Sequence, residues 1–590
     1  MHRYLPACFL LCILSGAIVP ALYAQTPSLP RGIAPHEQAA IEDYRLSRWL
    51  ISSGESTPPP APVRTMAEWE EIEYLVVTWT QYIPILREIV RYAQQEAKVL
   101  ILCSDSNSVQ AYLSQYGIPT TRVRYLEGAF NSVWMRDYGA TPTYLNGVDS
   151  LVLIDWIYNR PRPLDDAVPT DVAQYLGTTH YEMTIPPYDL VHTGGNFMSD
   201  GMGTAFSSKL LLDENTVGGV FNLSNKTEAE IDTLMQAFMG IGRYVKMEVL
   251  PYDGIHHIDM HMKLLDEETL LIGAYPPGIA DGPQIEANLR YILDHYPSAF
   301  GTPYRIVRIP MPGLQGAYPN MPGIPYYTYT NAVFVNRLVL VPIYNLPEDS
   351  TALRILREQL PGYRVVGINS NQMIPAGGAL HCITQAVGVR DPLLITHRPL
   401  RDTLDADSVY QVDATIRHRS GIASASIYYS QDTAAGYQVA PMVLEDSVDH
   451  LWRGYIPGHT GQIFYYIAAT ATNGKQMQRP MTAPAGAWHF DIRSAGSGLA
   501  IDHDRPNMGS AYPNPTAGLT CIPVVLPIAT RIEIEVRDLL GRQIKTVFRG
   551  MAGPGEARFY FHAQQLPSGT YLLSIETSKG HQVQKVSVYR

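Results

Sequence analysis

Between Arg64 and Asp391, short apolar runs alternate with stretches whose apolar residues recur every three or four positions. The runs Tyr74–Thr78, Val99–Cys103, Leu151–Asp155, Leu210–Leu212, Thr269–Ile272 and Ala332–Pro342 predict strands. Pro84–Glu96, Thr227–Met239, Gln284–His295 and Ser350–Gln359 predict helices. Such alternation implies an α/β domain over residues 54–391. The turns Gly194-Gly195-Asn196-Phe197-Met198 and Gly377-Gly378-Ala379-Leu380-His381 share a spelling, which suggests internal repeats with functional residues on one rim.

The period changes after Pro392. Val409–Ile416, Ala425–Tyr429 and Ile463–Ala469 alternate apolar and polar positions with no helical stretch between them. Residues 392–493 therefore have the size and pattern of an Ig-like β-sandwich, without the cysteine pair of antibody domains. A linker, 494–508, leads to a last all-β segment, 509–590. It opens Ala511-Tyr512-Pro513-Asn514-Pro515 and carries strand patterns at Ile532–Val536, Gly569–Ile575 and Gln582–Arg590. These features resemble the C-terminal sorting domains of type IX secretion, found on surface proteins of Bacteroidetes-type bacteria. The resemblance implies passage across the outer membrane and a secretion and anchoring machinery as partner.

The N-terminal end predicts export. His2 and Arg3 precede an apolar run from Ala7 to Val19 and a small-residue site at Ala21–Ala24, so 1–24 reads as a signal peptide. Residues 25–53 are polar, with a helical pattern from Glu37 to Leu50, and Pro58–Pro62 follows as a stiff breaker. This stretch reads as a pro-segment or N-terminal arm. No transmembrane segment is expected, because no run reaches the ~18 apolar residues a spanning helix needs.

Composition narrows the picture further. With 590 residues, 46% hydrophobic and 17% charged, the chain has apolar material for several cores. The net charge of -11 and the lack of a basic cluster argue against a nucleic-acid partner and leave basic substrates open. Five cysteines, two of them in the leader at Cys8 and Cys12, cannot make a disulfide framework. Cys382, after a double glycine and beside His381, reads better as a nucleophile than as a staple.

Three further motifs accompany it. Trp134-Met135-Arg136-Asp137-Tyr138-Gly139 supplies an indole and a carboxylate. Ile255-His256-His257-Ile258-Asp259-Met260-His261 sets His257 and Asp259 two apart, on one side if the segment is a strand. Tyr327-Thr328-Tyr329-Thr330-Asn331 ends in an amide before an apolar run. Two carboxylates, a histidine, an aromatic plate and a thiol suit a guanidinium. That cation is planar and presents five N–H donors in a fork, so carboxylates grip its edges while sulphur reaches its carbon.

In this order the motifs resemble the Porphyromonas-type peptidyl-arginine deiminase family, which also contains agmatine deiminases and belongs to the guanidino-group-modifying enzymes. The resemblance covers about Arg64 to Val389. It implies a five-bladed α/β-propeller of ββαβ modules with a central site. Cys382 would be the nucleophile and His257 the general acid/base. Asp137 and Asp259 would hold the guanidinium, Asn331 would complete the catalytic set, and Trp134 would stack on substrate. Ile255, in the histidine motif, is carried as a substrate-binding residue.

Tyr158-Asn159-Arg160-Pro161-Arg162-Pro163 is similar to a segment that binds the carboxylate of a C-terminal arginine in the secreted peptidyl branch, which makes Arg160 and Arg162 substrate-binding candidates. Partners would then be proteins or peptides carrying arginine. No cofactor is required, although related propellers carry a structural calcium or sodium ion.

Other readings stay open at this level. His257, Asp259 and His261 could hold a metal. The chain could also be an exported agmatine deiminase, an amidinotransferase, or a non-catalytic adhesin.

Overall fold

The computed structural model describes residues 29–47, 54–403, 409–458, 461–492, 507–509, 511–512, 514–516, 518–526, 530–552, 555–577 and 580–589. The expected signal peptide lies outside them, as does most of the expected linker.

Five sheets fill residues 63–388 on one plan: an antiparallel hairpin, a helical connection, then a strand parallel to the hairpin's second member. Thr141–Leu145 and Ser150–Tyr158 form such a hairpin, and Thr179–Met183 joins it after Val168–Leu176. Met262–Asp266, Thr269–Ala274 and Arg305–Pro310 repeat the pattern around Gly282–His295. Val333–Val335, Leu338–Ile343 and Arg364–Asn369 do so around Glu348–Gln359. Met198–Ser199, Thr204–Ser208 and Arg243–Met247 give a shorter version around Glu228–Met239. The remaining sheet joins the two ends of the domain: Gln385–Gly388 pairs with Ile72–Thr78, which is followed through Ile83–Ala93 by Lys98–Cys103.

The local chemistry explains the elements. Ile83–Ala93 buries Ile85, Leu86, Ile89, Val90 and Ala93, a stripe at helical spacing. Truncating Leu86 to Ala would cost about 2–5 kcal/mol. Glu228–Met239 starts at Thr227, whose side chain and that of Glu230 cap each other's backbone N–H. Lys98–Cys103 is buried from Val99 onward, as suits a strand flanked on both edges.

Two expectations fail here. Leu210–Leu212 is not a strand but the start of the helix Leu210–Glu214; three consecutive leucines carry no period by which strand and helix differ. Ala332–Pro342 is not one strand. It folds back at Asn336, which takes φ 51, a left-handed conformation asparagine tolerates in tight hairpins.

Every unit has two unlike ends. A leading loop enters the first hairpin strand at one end, and the hairpin turn lies at the other. The strands of 394–492, all antiparallel and sharing one core, dock on the turn ends. Lys475 Nζ lies 2.7 Å from Glu71 Oε2, Arg479 Nη2 lies 2.9 Å from Glu267 Oε2, and Arg417 Nη2 donates to Asn146 O at 2.7 Å. Residues 507–588 form two further sheets around their own core, built from Ile522, Val524, Ile534, Leu573 and Val586 among others.

Candidate active site

The leading loops carry the candidate residues. Asp137 precedes Thr141–Leu145, Gly195 precedes Met198–Ser199, Asp259 precedes Met262–Asp266, Asn331 precedes Val333–Val335, and Cys382 precedes Gln385–Gly388. Arg160 and Arg162 follow Ser150–Tyr158 at the same end. Most of these loops contain a single short helical turn, at Met135–Tyr138, Gly194–Asn196, Ile258–Met260 and His381–Ile383. The turn holding Asp137 is pinned by Tyr138, whose hydroxyl lies 2.6 Å from Thr78 Oγ1 and donates to Ser132 O at 3.0 Å.

His257 and Asp259 do not lie on a strand. His257 is extended and Ile258–Met260 is a 3₁₀ turn, preceded by His256 at φ 61. Two-residue spacing brings both side chains to the same place by a turn rather than by a pleat.

Into this end the chain inserts its own N-terminal arm. Arg31 Nε donates to Asp137 Oδ2 at 2.9 Å, and Nη2 to Asp137 Oδ1 at 3.0 Å. Nη1 and Nη2 donate to Asp259 Oδ1 and Oδ2, each at 3.0 Å. Both carboxylates thus meet one guanidinium bidentately, edge to edge. Arg31, Asp137, His257, Asn331 and Cys382 are all 0–1% exposed. Gly195 makes room for this: a Cβ there would overlap Arg31 Nη2 and lie 2.6 Å from His257 Nδ1 and 2.7 Å from Asp137 Oδ1.

Cys382 lies beside the pair. Its thiol is 3.7 Å from Asp259 Oδ2, the oxygen that also accepts from Arg31. Asn331 Nδ2 donates to Sγ at 3.2 Å, and Ala379 N does so at 3.4 Å. His257 Nδ1 is 3.5 Å from Asp137 Oδ1. Ile255 packs close to Gly377, where an added Cβ would overlap Ile255 Cδ1 and stand 3.7 Å from Arg31 Cβ.

The titrations follow from burial and charge. Burial pushes the Cys382 thiol well up; Arg31 opposes the rise and both aspartates add to it. Burial, with Arg31, takes His257 down to about 4 against the pull of Asp137, so the ring is neutral near pH 7. Burial would raise Asp137 and Asp259, but Arg31 overcomes it, helped by His257 and His381 respectively, and both stay ionised.

Several neighbours carry no signal that the motifs revealed. His381 Nδ1 lies 2.9 Å from Asp259 Oδ2 and its Nε2 lies 2.8 Å from Glu68 Oε1, which in turn accepts from Lys263 through Oε2 at 2.6 Å. This chain orients Asp259. Only the position of His381 next to Cys382 hinted at it. Arg31 could have been suspected only as a cation in a segment already read as an arm.

The arm makes further contacts. Trp134 Nε1 donates to Leu29 O at 2.9 Å, and Arg31 N donates to Ala376 O at 2.8 Å. Arg160 Nε donates to Arg31 O at 2.8 Å. Arg162 Nη2 donates to Pro30 O and Gly32 O at 2.8 and 2.9 Å, and Arg162 takes the Glu37 carboxylate bidentately at 2.7 and 2.9 Å. Arg160 and Arg162 are therefore buried, not solvated. For the metal reading, among the described residues no group of three or more His, Cys, Asp or Glu is placed to hold an ion.

A propeller-like assembly of hairpin units, with a cysteine and two guanidinium-gripping carboxylates at one end, defines a deiminase-type enzyme. The comparisons agree. The sequence pattern of the Porphyromonas-type peptidyl-arginine deiminases matches residues 64–387, more than half the chain, and the chain belongs to that family. A provisionally named agmatine deiminase of Yersinia pseudotuberculosis is 24% identical over 301 residues, 45% of this chain and 77% of that protein. A provisionally named arginine deiminase structure from Porphyromonas gingivalis covers 55% of this chain and 98% of its own, at 23% identity and TM-score 0.47. An X-ray structure provisionally named agmatine deiminase covers 57% and 100%, at 19% identity and TM-score 0.50, and shares the fold.

Residues 510–589 match the secretion system C-terminal sorting domain, so the protein is secreted or attached to the cell surface. No helix among the described residues is long and apolar enough to cross a membrane.

Proposed function

We propose that the protein is an exported protein-arginine deiminase that hydrolyses peptidyl arginine, C-terminal arginine by preference, to citrulline and ammonia. The observation that carries this reading is the Arg31 guanidinium, a peptidyl arginine side chain held across Asp137 and Asp259 beside Cys382. A pocket with two ionised carboxylates needs a cation of this shape. Agmatine has the guanidinium but no backbone carbonyl or carboxylate for Arg160 and Arg162.

The steps follow from the residues. Cys382 gives its proton to His257, which is neutral at rest, and Sγ bonds to the guanidinium carbon. The carbon–nitrogen bond breaks as His257 returns the proton to the departing nitrogen, and ammonia leaves. Water then gives a proton to His257 and its oxygen to the carbon. The sulphur–carbon bond of the thiouronium adduct breaks, leaving citrulline and a thiolate that recovers the proton. Asn331 and Ala379 N steady the sulphur, Trp134 and Ile255 wall the pocket, and the chemistry calls on no cofactor.

The preference for a terminal arginine is supported by Arg160. Its Nε meets the carbonyl of the residue whose side chain fills the pocket. In a chain ending there, that carbonyl is a carboxylate, and the charge-assisted hydrogen bond from Arg160 becomes an ion pair.

The five sheets are read as five blades of an α/β-propeller. Residues 392–493 are read as an Ig-like sandwich and 509–590 as the domain that engages the secretion and anchoring machinery. The test is a substrate panel: a peptide ending in arginine, one with internal arginine, free arginine and agmatine, read as ureido product and ammonia. The terminal peptide should give the highest kcat/KM. A preference for agmatine would instead make the enzyme an agmatine deiminase, and a new guanidino compound formed with an added amine would make it an amidinotransferase.

A further inference from the structure

The arm does more than pass the site; it imitates what the site binds. Arg31 supplies the guanidinium, its own carbonyl lies on Arg160, and Glu37 puts a carboxylate on Arg162. The main chain on both sides of Arg31 is gripped as well, by Trp134 at Leu29, Ala376 at Arg31 and Arg162 at Pro30 and Gly32.

A second anchor lies beyond. Ile33, Ile41 and Tyr44 pack into an apolar cluster with Ile157, Val191 and Phe221, and Tyr44 donates to Tyr158 O at 3.1 Å. The arm folds for this purpose: Pro35–Ala40 and Ile41–Ser47 are consecutive helical turns, and Glu37 turns back onto Ala34 N at 2.7 Å.

With Arg31 docked, no second guanidinium fits. All four of its hydrogen bonds to Asp137 and Asp259 are ones a substrate would need, and the nucleophile is buried beneath it. We propose that residues 29–47 are a substrate-mimicking arm that keeps the active site closed, so that the full chain is latent until the arm is displaced or removed. The proposal rests on the reading of this site as one that binds arginine.

An arm on the same chain competes as though present at about millimolar concentration, which most peptide substrates do not match. Its grip depends on the planar fork of Arg31, so lysine at that position replaces it only in part.

The test is made on the full chain in a Cys382→Ala background, which removes turnover from the readout. Binding of a fluorescent peptide ending in arginine is measured with the arm intact and with Arg31→Ala or Arg31→Lys added. Arg31→Ala should tighten binding at least ~10-fold by removing the competitor, Arg31→Lys by less. Glu37→Gln, which leaves the guanidinium contacts intact, should give a smaller gain. In the chain with Cys382 present, Arg31→Ala should raise kcat/KM by a similar factor.

Equal affinity with and without Arg31 would overturn the latency, even if the chain deiminates arginine. So would recovery of Arg31 as citrulline from the wild-type chain, since the arm would then be a substrate and not a block. Tighter binding in Arg31→Ala with no product from any guanidine would leave the arm's occupancy standing and defeat the deiminase reading alone.

Discussion

The amide of Asn331 holds the sulphur of Cys382 from one side while fixing its loop from the other. Nδ2 lies 3.2 Å from Sγ, and Oδ1 accepts from the backbone N–H of His381 at 3.0 Å. One side chain therefore sets both the position of the Cys382 thiol and the path of the chain that carries it. Asn331→Ala should lower kcat about 100-fold, the scale of a misplacement of one ångström, with little change in KM. Steady-state kinetics on the Arg31→Ala background check this, and a mutant that loses only KM would contradict it.

Removing the sulphur itself is the simplest case. Cys382→Ala deletes one buried atom, so it should shift the melting temperature by no more than a few degrees and abolish ureido product. Residual turnover above background would assign the nucleophile elsewhere.

Gly195 marks the tightest approach. Gly195→Ala puts a methyl where Arg31 Nη2 lies, against His257 and Asp137. Overpacking of this kind costs about 1–3 kcal/mol, so in the Arg31→Ala background KM for arginine peptides should rise about 5- to 150-fold. Arm docking should weaken in parallel, seen as protease sensitivity of residues 29–47.

The arginine pair separates substrates. In the Arg31→Ala background, Arg160→Ala with Arg162→Ala should raise KM for peptides ending in arginine by about 10-fold or more, the loss of charge-assisted hydrogen bonds. Small guanidines lacking a carboxylate should be spared. Equal losses on both would remove the pair from substrate recognition.

Acid should destabilise the chain in a defined window. The folded value for His257, about 4, lies below that of an unfolded histidine, about 6.5. Its contribution is thus complete above about 6.5 and lost as pH falls towards 4, because the unfolded chain takes up a proton that the folded one refuses. Replacing His257 with Gln should flatten the fall in melting temperature between pH 6.5 and 4. Asp137 and Asp259 are depressed too far to titrate there, so acidification to pH 5 should leave the arm docked. Activation at pH 5 without cleavage would contradict that assignment.

The sequence made much of this legible, because the candidate site residues sit in contiguous motifs. Asp137, His257, Asp259, Asn331 and Cys382 each lie in a short spelling on a leading loop, and the loops converge because each enters an equivalent hairpin. What the spelling missed is what depends on distance along the chain. Glu68 reaches His381 across 313 positions, and Arg31 reaches Asp259 across 228. Neither has a local period or motif.

The Leu210 and Ala332 segments failed for a different reason: a run of apolar residues records burial but not where the backbone turns. Arg160 and Arg162 stand out as a pair in the sequence, while the arm they hold does not, since an arginine between Pro30 and Gly32 looks like ordinary coil.

The strands of 394–492 fasten to the hairpin-turn ends, the side of the catalytic domain away from Cys382. A load passed through that domain would reach the catalytic domain at its floor and leave the doorway clear. Lengthening, trimming or exchanging that stalk should change where the catalyst stands without touching what it does.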